Sequence, residues 1–146
     1  MTEARQKLDI PFNSDTEIME MVEQFEQCRW PYERWTHRAH LGVAATYLQR
    51  FPFDLALQRV RHHIQQYNQK CGDPNGYHET VTILFMCKAR SYLQGQTPGT
   101  PLTAAVDSLT QECNKQWLLR YYTAERLWSS EAKHSWLEPD LQMLDF

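Results

Sequence analysis

Six histidines carry the chemistry most readily read from this chain: His37, His40, His62, His63, His78 and His134. The segment Thr36-His37-Arg38-Ala39-His40 spaces two of them i, i+3, which puts both imidazoles on one helix face. That face continues through Leu41, Ala44 and Leu48, so both rings are expected to point inward. His78 shares its register with Thr82, Phe85 and Ala89, a second inward stripe. Neutral imidazole is the commonest protein ligand for divalent transition metals. Three protein ligands with a fourth position open is the arrangement of a catalytic zinc site. His37, His40 and His78 are therefore the candidate ligands of one divalent ion, with zinc or nickel preferred. Three nitrogens without an assured carboxylate fit those metals better than a two-iron site, which needs several inward glutamates.

Two carboxylates fall near these rings. Glu33 precedes His37 by four residues and shares its face only if the helix begins by Pro31. Glu79 follows His78 directly, about 100° round the helix. It is expected to orient a ligand or to serve as a first-turn charge favoured by the helix dipole. Trp35, Thr82, Tyr121 and Tyr122 complete the expected pocket wall. A competing reading keeps the same rings and removes the metal. They then bond backbone carbonyls or tyrosines as a structural cluster, and the chain is a non-catalytic module binding a small molecule or a protein. Whether the protein is an enzyme stays open, and no catalytic residue is assigned. His62 and His63 lie with Arg59, Arg61 and Gln65 on what reads as a solvated face. His134, near Glu131 and Glu138, reads as exposed.

The elements that must position these residues are helices. Ser14-Asp15-Thr16-Glu17 is a capping box, followed by Ile18, Met21, Val22, Phe25 and Cys28 on one face. A second helix is expected from about Thr36 to Arg50, with Leu41, Ala44, Ala45 and Leu48 inward. Pro52 opens a third, whose seam is Phe53, Leu57, Val60, Ile64 and Tyr67. Gly72-Asp73-Pro74-Asn75-Gly76 ends it with five turn residues. A fourth runs from about Tyr77 to Leu93, burying Val81, Phe85, Ala89 and Tyr92. Thr100-Pro101 caps a fifth, with Leu102, Val106, Leu109 and Cys113 inward. Ser129 or Ser130 caps a short last helix through Trp136.

No segment alternates with period two, so the class is all-α: an up-and-down bundle of about five helices, a short C-terminal helix and a docked tail. Short connections make successive helices antiparallel neighbours. That topology brings the starts of the second and fourth helices, hence His37, His40 and His78, to one end.

The 146 residues show one composition regime and predict a single domain, 1–146, with about residues 1–13 a flexible or loosely docked N-terminal arm. An apolar share of 42% and a charged share of 23% exclude wholesale disorder. Fifteen basic against eighteen acidic residues leave no basic excess for nucleic acid. Met1 to Ile10 lacks the apolar stretch of a signal peptide, and no run is long enough for a bilayer, so a cytoplasmic protein without a membrane partner is expected. None of Cys28, Cys71, Cys87 and Cys113 forms a Cys-x-x-Cys pair. Three lie on apolar stripes and read as buried thiols acting as small hydrophobes, with a cysteine–histidine nucleophile as the alternative. Leu137, Leu141, Met143, Leu144 and Phe146 are too apolar for a free end and must dock on their own domain or on a second copy, which leaves a homodimer open.

The blocks Trp35-Thr36-His37-Arg38-Ala39-His40-Leu41, Gly76-Tyr77-His78-Glu79-Thr80-Val81-Thr82 and Glu138-Pro139-Asp140-Leu141 resemble those of a small all-helical bacterial family of hypothetical proteins. The resemblance spans most of the chain from Trp35 onward. It implies a bacterial source and brings no activity, ligand or residue role with it.

Overall fold

A computed structural model describes residues 6–146 of the chain. Its described residues form eight α-helices and no strand. Five are long: α1 (Asp15–Glu26), α2 (His37–Arg50), α3 (Phe53–Lys70), α4 (Glu79–Gln94) and α5 (Leu102–Glu112). The C-terminal region holds three short helices where one was expected: α6 (Lys115–Leu118), α7 (Ala124–Leu127) and α8 (Ser130–His134). Asn114, Thr123 and Ser129 each cap one of them through a side-chain oxygen, so local capping divides the region.

The second helix is the axis of the molecule. It packs against α1, α3, α4 and α5, and every residue from Leu41 to Tyr47 is buried. A one-sided stripe was expected here, and the structure corrects it. Gly42, Ala44 and Ala45 are small enough to admit neighbours on all sides. A Cβ on Gly42 would stand 2.9 Å from Met21 Cε. Leu48, expected inward, is only half-buried. One apolar cluster joins α1, α2 and α3, with Phe25, Trp35 and Tyr67 at its centre. A second gathers Leu84, Leu109, Trp117, Tyr121, Tyr122 and Leu127.

The caps follow the sequence signals with two departures. Ser14 Oγ accepts from Glu17 N at 3.2 Å, while the Glu17 carboxylate reaches one residue further back, to Asn13 N at 2.8 Å. The fifth helix is not capped by Thr100. The Asp15 carboxylate, from the first turn of α1, accepts from Leu102 N and Thr103 N at 3.0 Å each.

Both ends of the described chain are anchored. The Lys7 ammonium donates to the carbonyls of Tyr32 and Trp35, Asp9 pairs with Arg38 at 2.9 Å, and Phe12 is buried. Residues 6–12 of the expected loose arm are therefore docked. Residues 1–5, which complete the arm and the stretch read for a signal segment, lie outside the described residues. At the other end Phe146 packs on Trp117 and Tyr121, and Tyr121 OH donates to Asp145 at 2.6 Å. Leu141 and Met143, expected to dock, are 55% and 86% exposed. No described helix is long and apolar enough to cross a membrane.

Candidate functional site

His37, His40 and His78 line one cavity of about 310 Å³ between α2, α3 and α4. Thr36 caps α2 by accepting from Ala39 N at 3.2 Å, which fixes the first turn that carries His37 and His40. The turn Asp73–Gly76 and the start of α4 bring His78 and Tyr77 to the same space. Leu41, Ala44, Val60, Ile64, Val81, Phe85 and Met86 supply the apolar walls. Val81 and Phe85 were read as core; they are half-buried because the cavity lies beside them. None of the lining residues is Asp, Glu, Lys or Arg.

Each ring is held differently. His40 stacks on Trp35, with centroids 3.7 Å apart, and its Nδ1 bonds Thr36 O at 2.7 Å. A carbonyl only accepts, so Nδ1 carries the proton and Nε2 keeps a bare lone pair. Burial lowers the His40 pKa to about 4. His78 is the N-cap of α4. Its Nδ1 accepts from Val81 N at 3.1 Å, and its Nε2 donates to Leu127 O at 2.7 Å. Both His78 nitrogens are thus in use, in the tautomer protonated at Nε2. His37 lies against Phe85, and its Nε2 is buried with no hydrogen-bond partner among the described residues. Burial lowers the pKa of His37 and of His78, with the Cys113 and Leu127 backbones opposing. All three rings are neutral at pH 7.

This bonding bears on the expected metal set. His37 Nε2 and His40 Nε2 make no hydrogen bond among the described residues, while His78 would have to abandon its cap to give a third nitrogen. No group of three or more His, Cys, Asp or Glu side chains placed to hold a metal ion occurs among the described residues.

The remaining expected pocket residues divide. Thr82 lines the cavity, its hydroxyl donating to His78 O at 2.8 Å. Trp35 backs His40 from the core. Glu33 lies on the 3-10 turn Tyr32–Arg34, away from the cavity wall. Glu79 faces a separate polar cleft, where it accepts from Arg61 Nε at 2.9 Å and from Tyr77 OH at 2.6 Å. Tyr121 and Tyr122 belong to the second core and bond Asp145 and Leu137 O, because the chain leaves the bundle end after α5. Glu131 and His134, a Glu-x-x-His spacing on α8, are both exposed.

Of two further residues of interest, Asn68 carried no sequence signal and His63 was read differently. Asn68 is 7% exposed and borders both the cavity and the polar cleft. His63 is not on a solvated face. Its ring lies 6.2 Å from Phe25 and 6.1 Å from Tyr47, with Nδ1 buried. No family model, no curated protein and no solved structure matches the chain.

Proposed function

We propose that this protein binds an uncharged, largely apolar small molecule in the cavity between α2, α3 and α4. The observation that carries this reading is the chemistry of the wall: three imidazoles held neutral, one buried amide, and no charged side chain. A charged ligand entering such a site would lose hydration without gaining a counter-charge. An uncharged one gains apolar contact and a few directed hydrogen bonds, the usual composition of a small-molecule site. His40 Nε2 accepts a hydrogen bond from the ligand's donor, and the Asn68 amide supplies both a donor and an acceptor. At about 310 Å³ the space suits a molecule of one or two small rings. The reading assigns no reaction.

The test is a titration of the whole protein with indole, phenol and benzamide, followed by amide nuclear magnetic resonance. The expected result is saturable shifts confined to residues of α2, α3 and α4 around the cavity, and their loss in Ala44→Phe, which fills it. Unmoved cavity amides would overturn the reading. Stoichiometric zinc or nickel in the purified protein would replace it with the metal-binding one.

A further inference from the structure

Cys28 and Cys71 are 43 residues apart in sequence and adjacent in the fold. Cys28 follows the end of α1 with φ 58°, the one positive φ among the described non-glycine residues. Cys71 closes α3. Its Sγ lies 2.9 Å from the Cys28 carbonyl oxygen. Burial and the neighbouring Cys28 thiol together raise the Cys71 pKa. The backbone around them is fixed. Tyr67 OH donates to Trp30 O at 2.6 Å, and Tyr67 O accepts from Cys71 N at 2.7 Å and Gly72 N at 3.1 Å. Both cysteines are half-buried and free.

We propose that Cys28 and Cys71 form a redox couple, a modification site at which a peroxide closes an intramolecular disulfide between the ends of α1 and α3. The Cys28 thiolate attacks one peroxide oxygen, giving a sulfenic acid and hydroxide, which takes up the proton Cys28 released. Cys71 then attacks the Cys28 sulfur, and its proton leaves with the sulfenic hydroxyl as water. The two sulfurs together lose two electrons, and hydrogen peroxide becomes two waters. The other thiols lack this arrangement. Cys113 is buried with its pKa pushed up to about 12, and burial raises that of Cys87 as well. The bridge closes a loop that contains α2 and α3, and it tethers the stretch from Cys71 to His78 that borders the cavity. It does not depend on what the cavity binds.

The test treats the folded, full-length protein with stoichiometric hydrogen peroxide, blocks remaining thiols after denaturation, and maps the digest by mass spectrometry. The expected result is an intact mass lower by two hydrogen atoms, a single linked peptide pair carrying Cys28 and Cys71, and reversal by dithiothreitol. The Cys87→Ser/Cys113→Ser double variant keeps the link, and Cys71→Ser, checked for native helical dichroism, loses it. The oxidised wild type melts at a higher temperature than the reduced form. Absence of the linked pair, a link to another cysteine, or a bridge found only between chains would overturn the proposal.

Discussion

His40 concentrates the pH response of the fold at one ring. Its pKa falls from about 6.5 unfolded to about 4 folded, because burial disfavours the charged form. The neutral ring is therefore an advantage of the native state. That advantage is fully present above pH 6.5 and is lost as pH falls towards 4, where the native ring at last takes its proton. At 1.36 kcal/mol per pKa unit the loss is up to about 3 kcal/mol. Burial lowers the pKa of His37 and His78 in the same direction. Urea midpoints should drop steadily between pH 7 and pH 4.5, and His40→Gln should flatten that slope; a profile unchanged by the substitution would remove His40 as its source. His78 offers a second measurement. As an N-cap it should tolerate Asn far better than Ala, with His78→Ala costing about 1–2 kcal/mol. Equal losses in the two variants would mean that the bond to Leu127, not the cap, is what matters. The i, i+3 pair and His78 were visible in the sequence as inward rings. Their bonding was not, because their acceptors are the carbonyls of Thr36 and Leu127, and backbone carries no residue-type signal.

Helix stripes and caps are local, so most elements could be read from the chain. Of the third helix's expected seam Leu57, Val60, Ile64 and Tyr67 are buried and Phe53, in its first turn, is half-buried; Leu102, Val106, Leu109 and Cys113 are buried. What crosses between elements could not be read. Asp15 has the character of a first-turn residue of its own helix, yet its carboxylate caps the start of α5, 87 residues away. Asp15→Ala should cost about 1–2 kcal/mol in chemical denaturation, with Asp15→Asn intermediate. A loss no greater than that of an ordinary surface alanine would show that α5 starts without it. Thr80 does comparable work between α4 and α8. It is fully buried, and its hydroxyl meets the carbonyls of Ala132 and Ser135 at 2.7 and 2.9 Å and the Leu137 N–H at 3.2 Å. The near-isosteric Thr80→Val leaves those groups unpaired and should cost about 1–3 kcal/mol. Unchanged thermal stability would mean that the C-terminal segment is held by apolar contact alone.

Over the whole molecule, the C-terminal tail closes the second core. Its apolar residues promised docking, but only part of the segment delivers it. Leu141 and Met143 face solvent while Leu144 and Phe146, both partly exposed, pack on the second core. Removing residues 144–146 should cost about 2–3 kcal/mol, below the sum for two fully buried side chains because both stay partly exposed. Truncation without loss would assign the second core to Trp117, Tyr121 and Tyr122 alone.

The axial position of α2 also has a consequence for biosynthesis. The helix ends at Arg50, and its last covering helix ends at Glu112. About 60 residues must be translated between them, which takes roughly 3–12 s at about 5–20 residues per second. Over that interval the side of α2 that will meet α4 and α5 is covered only as first α4 and then α5 is completed. The nascent protein thus passes through a stage in which the most fully buried of its long helices is only half covered, and that stage is where a chaperone would be expected to bind it.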